Sequence, residues 1–248
     1  MKLNKTYYEE DLTAGLSLLI AMASLAQQKE GKVTYERNTQ MSININNGAE
    51  PIQHIRKDKF ELNFANNQMV WQQLPEDIQE EPVSNGGMVF RTVGGGGDDI
   101  VFIDFEKSRK VEGREFGDKK FIVTDSIRRN NWRLSEETKT ILGYQCRKAT
   151  TERIAKRTTM MMENGKMERR EVDDTSEVVA WFTLSIPVPA GPDFQGQLPG
   201  LILEMEMNDG KMVYRAVEVK EKPNKNAIKE PTKGKKLLPR NLVQSASK

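Results

Sequence analysis

The chain reads as a mainly β protein built on a single curved antiparallel sheet or open half-barrel. Three observations carry that expectation. Apolar residues recur at every second position in short runs, turn-forming pairs separate the runs, and no amphipathic helical pattern interrupts them between Gly31 and Val219. Many short strands with turns between them suit a sandwich, an open barrel or a curved sheet.

The runs follow in order. Val33, Tyr35, Met41, Ile43 and Ile45 alternate with polar neighbours, which predicts a half-buried strand. Phe60, Leu62 and Phe64 repeat the pattern, and Ala65-Asn66-Asn67-Gln68 turns the chain toward Met69 and Trp71. Between residues 74 and 99, Pro75, Pro82, Gly86-Gly87 and Gly94 to Gly97 break the alternation, which predicts a long loop. Strands resume at 100–105, 111–116 and 119–127, with Phe121, Val123 and Ile127 in one parity. A polar stretch follows Trp132 and Leu134, and a strand is expected over 144–154. Residues 157–163 and 166–172 flank Asn164-Gly165, a favoured two-residue hairpin pair. Residues 178–183 form an apolar strand, and 201–207 with 211–219 flank a second hairpin at Asn208-Asp209-Gly210.

The ends differ from this body. Lys2 and Lys5 precede an apolar run from Ala14 to Ala26 that closes on small residues, so residues 1–26 read as a signal peptide cleaved after Ala26. That run is shorter than the roughly 20 apolar residues of a spanning helix, so the mature chain is expected to carry no transmembrane segment. Export places the protein in the periplasm or cell envelope. Residues 27–220 form the β domain. Residues 221–248 read as a basic tail, extended or disordered, because its lysines and prolines cannot bury a core of their own. A short turn of helix near 241–246 is compatible with that reading.

Charge excludes one class of partner. The total is +2, yet the stretch from Lys220 onward holds nine Lys or Arg against two Glu, which leaves the remainder near −5. A nucleic-acid binder carries its basic charge on the folded body, so no nucleic acid is expected. Cys146 is the single cysteine, which rules out a disulfide within the chain.

Two stretches are more particular. One is Trp132-Arg-Leu-Ser-Glu-Glu-Thr-Lys-Thr-Ile-Leu-Gly-Tyr-Gln-Cys-Arg-Lys-Ala149. The other runs from Ala180 through Trp181, Ile186, Pro187, Pro189 and Pro192 to Phe194, Gly196 and Leu198-Pro199-Gly200-Leu201-Ile202. Together they resemble the GLPGI family of exported Bacteroidetes proteins, a largely uncharacterised group. The resemblance implies an envelope location and a curved sheet similar to periplasmic lipoprotein carriers, which wrap a hydrophobic concavity. This chain departs from the family by placing Gln197 between Gly196 and Leu198.

Read physically, Pro187, Pro189 and Pro192 remove three backbone donors, so residues 186–192 form a crossover over the sheet rather than a central strand. Leu198-Pro199-Gly200 is expected to turn, with Gly200 at positive φ. The candidate ligand or partner surface is Trp181, Ile186, Pro187, Pro192, Phe194, Leu198, Pro199 and Gly200, although a structural role explains the same residues.

Catalytic and metal chemistry find little support. His54, the only histidine, lacks a visible partner, and Cys146 reads as a buried small side chain. Gly94 to Gly97 precede two aspartates instead of the Lys-Ser/Thr of a phosphate loop. The acidic pairs at 98–99 and 173–174 lack calcium-loop spacing. Met160, Met161, Met162, Met167, Met205, Met207 and Met212 flank the two late hairpins, where core packing, an adaptable apolar surface and Cu(I) ligation are the alternatives. The sequence therefore predicts no enzyme, no cofactor and no resident metal. It predicts an envelope binding or accessory protein that offers an apolar concave sheet to a lipid-like or peptide ligand. The alternatives are a structural partner of an outer-membrane assembly or outer-membrane protein and, behind it, a methionine-based copper-handling protein.

Overall fold

In a computed structural model, which describes residues 28–43, 52–75, 99–116, 119–163 and 166–237, the chain forms twelve strands in one sheet. They are β1 (Gly31–Ile43), β2 (Ile52–Ala65), β3 (Gln68–Gln73), β4 (Ile100–Asp104), β5 (Arg109–Phe116), β6 (Lys119–Ser126), β7 (Arg133–Ile141), β8 (Tyr144–Glu163), β9 (Lys166–Thr183), β10 (Leu201–Met207), β11 (Met212–Lys220) and β12 (Lys235–Leu237). Their spatial order is β12-β6-β5-β4-β3-β2-β1-β11-β10-β9-β8-β7. Every pairing is antiparallel except β12 with β6, so the sheet is mixed. No helix occurs among the described residues. The expectations for 1–26, Ile45, most of the 74–99 loop and 241–246 lie outside them.

The turn chemistry acts as its residue types dictate. Asn66 and Asn67 hold φ at 52° and 58°, both left-handed, which matches the right-handed twist of the flanking strands. Asn208, Asp209 and Gly210 do the same between β10 and β11. At the β8–β9 hairpin, Glu163 pairs with Lys166 on either side of the expected turn.

Connectivity proves that the sheet is curved. β6 and β7 stand ten places apart, which in a flat sheet is about 48 Å at roughly 4.8 Å per strand. Residues 127–132 join them, and so short a connector reaches about 25 Å at most when fully extended. The sheet must curl until its two edges approach, yet no strand pairing closes it. The product is an open half-barrel with a seam spanned by residues 127–132.

Each face has its own cover. Alternation turns Val33, Tyr35, Phe60, Leu62, Phe64, Met69 and Trp71 to the inner face. There the crossover between β9 and β10 packs Ile186, Val188, Ala190 and Leu198 against them in the main core. The outer face buries Val70, Phe102, Val111 and Ile122, with Ile228 packed on them.

Ile228 belongs to the segment expected to be a disordered tail, and residues 221–237 correct that expectation. The backbone N–H of Asn224 donates to Asn63 Oδ1 at 2.8 Å, Lys225 pairs with Glu30 at 2.8 Å, and Arg109 pairs with Glu230. Lys235–Leu237 then align parallel to Phe121–Val123 as the edge strand. The segment cannot fold alone, but it finds an apolar patch and an open strand edge supplied by residues far away in sequence.

One strand left no apolar signature. β7 is exposed or half-buried along its whole length and exists because β8 offers it an edge. Its burial shows no alternation, so only pairing defines it.

Candidate functional site

The crossover is built by its prolines. The Val188 N–H donates to the Ile186 carbonyl at 2.8 Å and the Ala190 N–H to the Val188 carbonyl at 2.7 Å. These are two consecutive three-residue turns centred on Pro187 and Pro189, whose fixed φ suits an inverse γ-turn. Gly196 N–H reaches Pro189 O at 2.7 Å, and Leu201 and Ile202 N–H return to Ile186 and Ala190 carbonyls at 3.0 and 2.9 Å. The segment thus folds back on itself inside the half-barrel, and Tyr35 anchors it by donating its hydroxyl to Ile202 O at 2.7 Å.

This placement reassigns most of the sequence-predicted surface. Ile186, Pro192, Leu198 and Gly200 are buried, Pro187 and Phe194 are half-buried, and Pro199 alone is exposed. Trp181 stands apart, in register between Lys148 and Glu204, with Lys139 Nζ 4.2 Å from its ring centroid. The apolar concavity anticipated for a lipid-like ligand is filled by the chain's own crossover. That is a correction, and its cause is simple: an apolar inner face and an apolar crossover in one chain bury each other first.

Gly200 is corrected as well, since its φ is not positive. A Cβ there would lie 2.0 Å from Thr183 O, so glycine is required by backbone approach. Gly196, at φ 78°, and Asp193, at φ 52°, supply the left-handed positions instead. Gln197, the residue that departs from the family spacing, is a clamp. Its Oε1 accepts from Asn130 N–H at 3.0 Å and Trp132 Nε1–H at 2.9 Å, which ties the crossover to the seam. Trp132 also meets Phe194 edge-on at 5.5 Å.

Beside this clamp lies a cavity of about 280 Å³ lined by Lys110, Asp125, Arg128, Asp193, Gln195 and Gln197, with Ile103, Ile127 and Phe194 as apolar walls. Its lining is amphoteric. Lys110 pairs with Glu112, and Arg128 with Asp125 at 3.2 Å. Asp193 is open to solvent yet ringed by protein, and loss of surrounding water raises its carboxyl pKa against the pull of Arg153, Lys110 and Arg37.

The inner face carries a further charged cluster. Buried Asp58 accepts from Arg37 at 2.6 and 3.0 Å, from Arg56 Nε at 2.9 Å and from Gln73 at 3.3 Å. Burial pushes its carboxyl upward, but the two guanidinium groups outweigh this and hold it below the usual range. Arg37 lies 4.8 Å from the Phe60 ring centroid and donates to the Tyr214 hydroxyl at 3.3 Å. Phe60 and Trp71 stack at 5.0 Å with Tyr214 edge-on to Trp71 at 5.9 Å. Sequence reasoning missed this cluster. Arg37, Asp58 and Gln73 come from three strands, and only cross-strand register brings them together.

Other candidates settle plainly. His54 is exposed. Cys146 is fully buried, its thiol pushed up to about 11 by desolvation, which leaves no reactive thiolate. Met205 and Met207 are core residues. Among the described residues no three His, Cys, Asp or Glu side chains converge, and no helix is long and apolar enough to cross a membrane.

Residues 132–204 match a family described as a protein of unknown function, Porph_ging, which is uncharacterised and Bacteroidetes-associated. No curated protein matches the chain in sequence. Among solved structures the chain is similar to PNGF-II in one crystal form at a TM-score of 0.55 and 15% identity, over 88% of this chain and 33% of that one. A second crystal form gives 0.53 and 16%, over 89% and 34%. The chain therefore spans about a third of the PNGF-II chain, and at such identity the likeness is one of fold.

Proposed function

We propose that this is an exported, non-enzymatic binding or accessory protein of the cell envelope whose ligand is polar and peptide-like. The seam cavity is the observation that carries the reading. At about 280 Å³ it falls just below the usual range of ligand sites, roughly 300–1,000 Å³, which suits one side chain or a short segment. Its Lys110, Asp125, Arg128 and Asp193 present both charges, and Gln195 and Gln197 are amides able to match a peptide's donors and acceptors. A lipid chain would shield these charged and amide groups from water and offer them nothing polar in return. The Leu198-Pro199-Gly200-Leu201-Ile202 segment and the match over 132–204 support kinship with the GLPGI group, and residues 1–26 support export.

Native mass spectrometry of the envelope-purified chain tests the ligand. A polar adduct is expected, and Asp193→Asn, which keeps a residue type tolerant of left-handed backbone, should lose it. A lipid adduct retained by that variant would overturn the reading. N-terminal sequencing of the same sample should begin at Gln27, and an intact Met1 would remove the argument for signal cleavage.

A further inference from the structure

β8 and β9 run on past the body of the sheet. The last β7–β8 pair is Arg133 with Thr150, and the last β9–β10 pair is Val178 with Met207. Among the described residues, Glu152–Glu163 and Lys166–Glu177 pair only with each other. At about 3.3 Å per residue this ribbon projects roughly 40 Å. A two-stranded ribbon is marginal in water by itself, and an unpaired strand edge is a template for another strand. The β8 edge carries no proline, and its Ile154 is 68% exposed.

Antiparallel pairing of a strand with its own copy obeys a parity rule. Opposed residues must both direct their N–H and C=O groups toward the partner or both away, so the two-fold axis passes through a residue. An axis at Thr158 opposes Arg153 to Glu163, Ile154 to Met162, Ala155 to Met161, Lys156 to Met160 and Arg157 to Thr159. Opposite charges meet at both ends, the apolar pairs Ile154–Met162 and Ala155–Met161 lie just inside them, Lys156 and Arg157 face uncharged residues, and no like charges are opposed. Neighbouring axes are worse. An axis at Lys156 or Arg157 sets a cation against its own copy, one at Ala155 opposes Arg153 to Arg157, and one at Thr159 gives Glu163 an alanine. One at Met160 pairs Arg157 with Glu163 but shortens the matched segment to 157–163 and leaves Ile154 without an apolar partner. On the β9 edge every axis from Glu168 to Asp174 opposes like charges, including Glu171 to Asp173 when it lies at Val172. Like charges directly opposite are destabilising.

We propose that two copies of this chain associate through β8, antiparallel, about a two-fold axis at Thr158. The contact is isologous and joins two ribbons into a four-stranded sheet with the two bodies at opposite ends. It pairs the stretch of β8 that, among the described residues, has no neighbour on that side.

Light scattering of the purified full chain at micromolar concentration should give a dimer. Arg153→Glu and Glu163→Arg should each weaken it at least tenfold, and the two together should restore it. Thr158→Cys should form a covalent dimer on mild oxidation, because residues on the axis have Cα atoms about 4.5–5.5 Å apart, within disulfide range. Lys156→Cys should not, since its copies sit several residues apart, and buried Cys146 cannot substitute. A monomer at all concentrations, a charge swap that fails to rescue, or equal cross-linking at 156 and 158 would overturn the proposal.

Discussion

Gly200→Ala separates two reasons for a glycine. The Cβ of alanine would lie 2.0 Å from the Thr183 carbonyl oxygen and 2.8 Å from its carbon, both backbone atoms at the end of β9. An ordinary carbon–oxygen contact begins near ~3.3 Å, so the two segments must part by roughly 1.3 Å. Neither can yield freely, because Leu201 N–H is bonded to Ile186 O and Leu201 pairs with Thr183. Overpacking of this kind costs about 1–3 kcal/mol, and a backbone obstacle places it near the upper end. For a chain of this length that is roughly 6–12 °C in Tm, at about 2–4 °C per kcal/mol. Gly143 and Gly210 are the controls. Their φ values are 82° and 77°, and a Cβ at either would meet nothing within 4 Å, so alanine there faces only left-handed strain. That strain is about 1–2 kcal/mol. Asparagine tolerates such backbone, and should rescue Gly143 and Gly210 but not Gly200. Urea unfolding with an unchanged slope measures all three sites. Gly200→Ala within about 0.5 kcal/mol of the parent, or Gly200→Asn clearly milder than Gly200→Ala, would refute the steric argument.

Three further outcomes follow from the packing. Gln197→Ala leaves the Asn130 and Trp132 donors without their shared acceptor and should cost about 1–3 kcal/mol in urea unfolding, where a neutral result would dismiss the clamp. Truncation after Lys220 uncovers Val70, Phe102, Val111 and Ile122 and removes β12, so it should lower the melting temperature and increase binding of an apolar dye; unchanged values would mean the segment contributes nothing. Asp58 has its folded pKa below the unfolded one, so its contribution is present above the unfolded pKa and lost as pH falls through the folded pKa. Stability should therefore drop below about pH 4, and Asp58→Asn should flatten that drop while lowering stability at neutral pH.

Most strands were legible in the sequence because their causes are local, although 144–154 and 157–163 form one strand, β8, and 166–172 and 178–183 form another, β9. Alternation around Tyr35, Phe60 and Phe121 sets which side chains share a face, and Asn66-Asn67 and Asn208-Asp209-Gly210 set where the chain reverses. The same local reasoning excluded a central strand at Pro187 and Pro189 and anticipated buried Cys146. It failed where the deciding partner is distant. β7 has no apolar period, and Gly200 was assigned a conformational role when its constraint is a carbonyl from another strand. Gln197 is an interruption in one dimension and a hydrogen-bonded clamp in three.

The sequence by itself determined that this chain is an all-β fold with a proline-built crossover, since periodicity, turn residues and missing backbone donors are properties of neighbours along the chain. Only the tertiary structure decided how far the sheet curls, that the crossover fills the apolar inner face, that the basic segment straps the outer one, and that Arg37, Asp58 and Tyr214 meet. Each of these depends on register between strands or on a match between surfaces far apart in sequence, and no local preference encodes such a match.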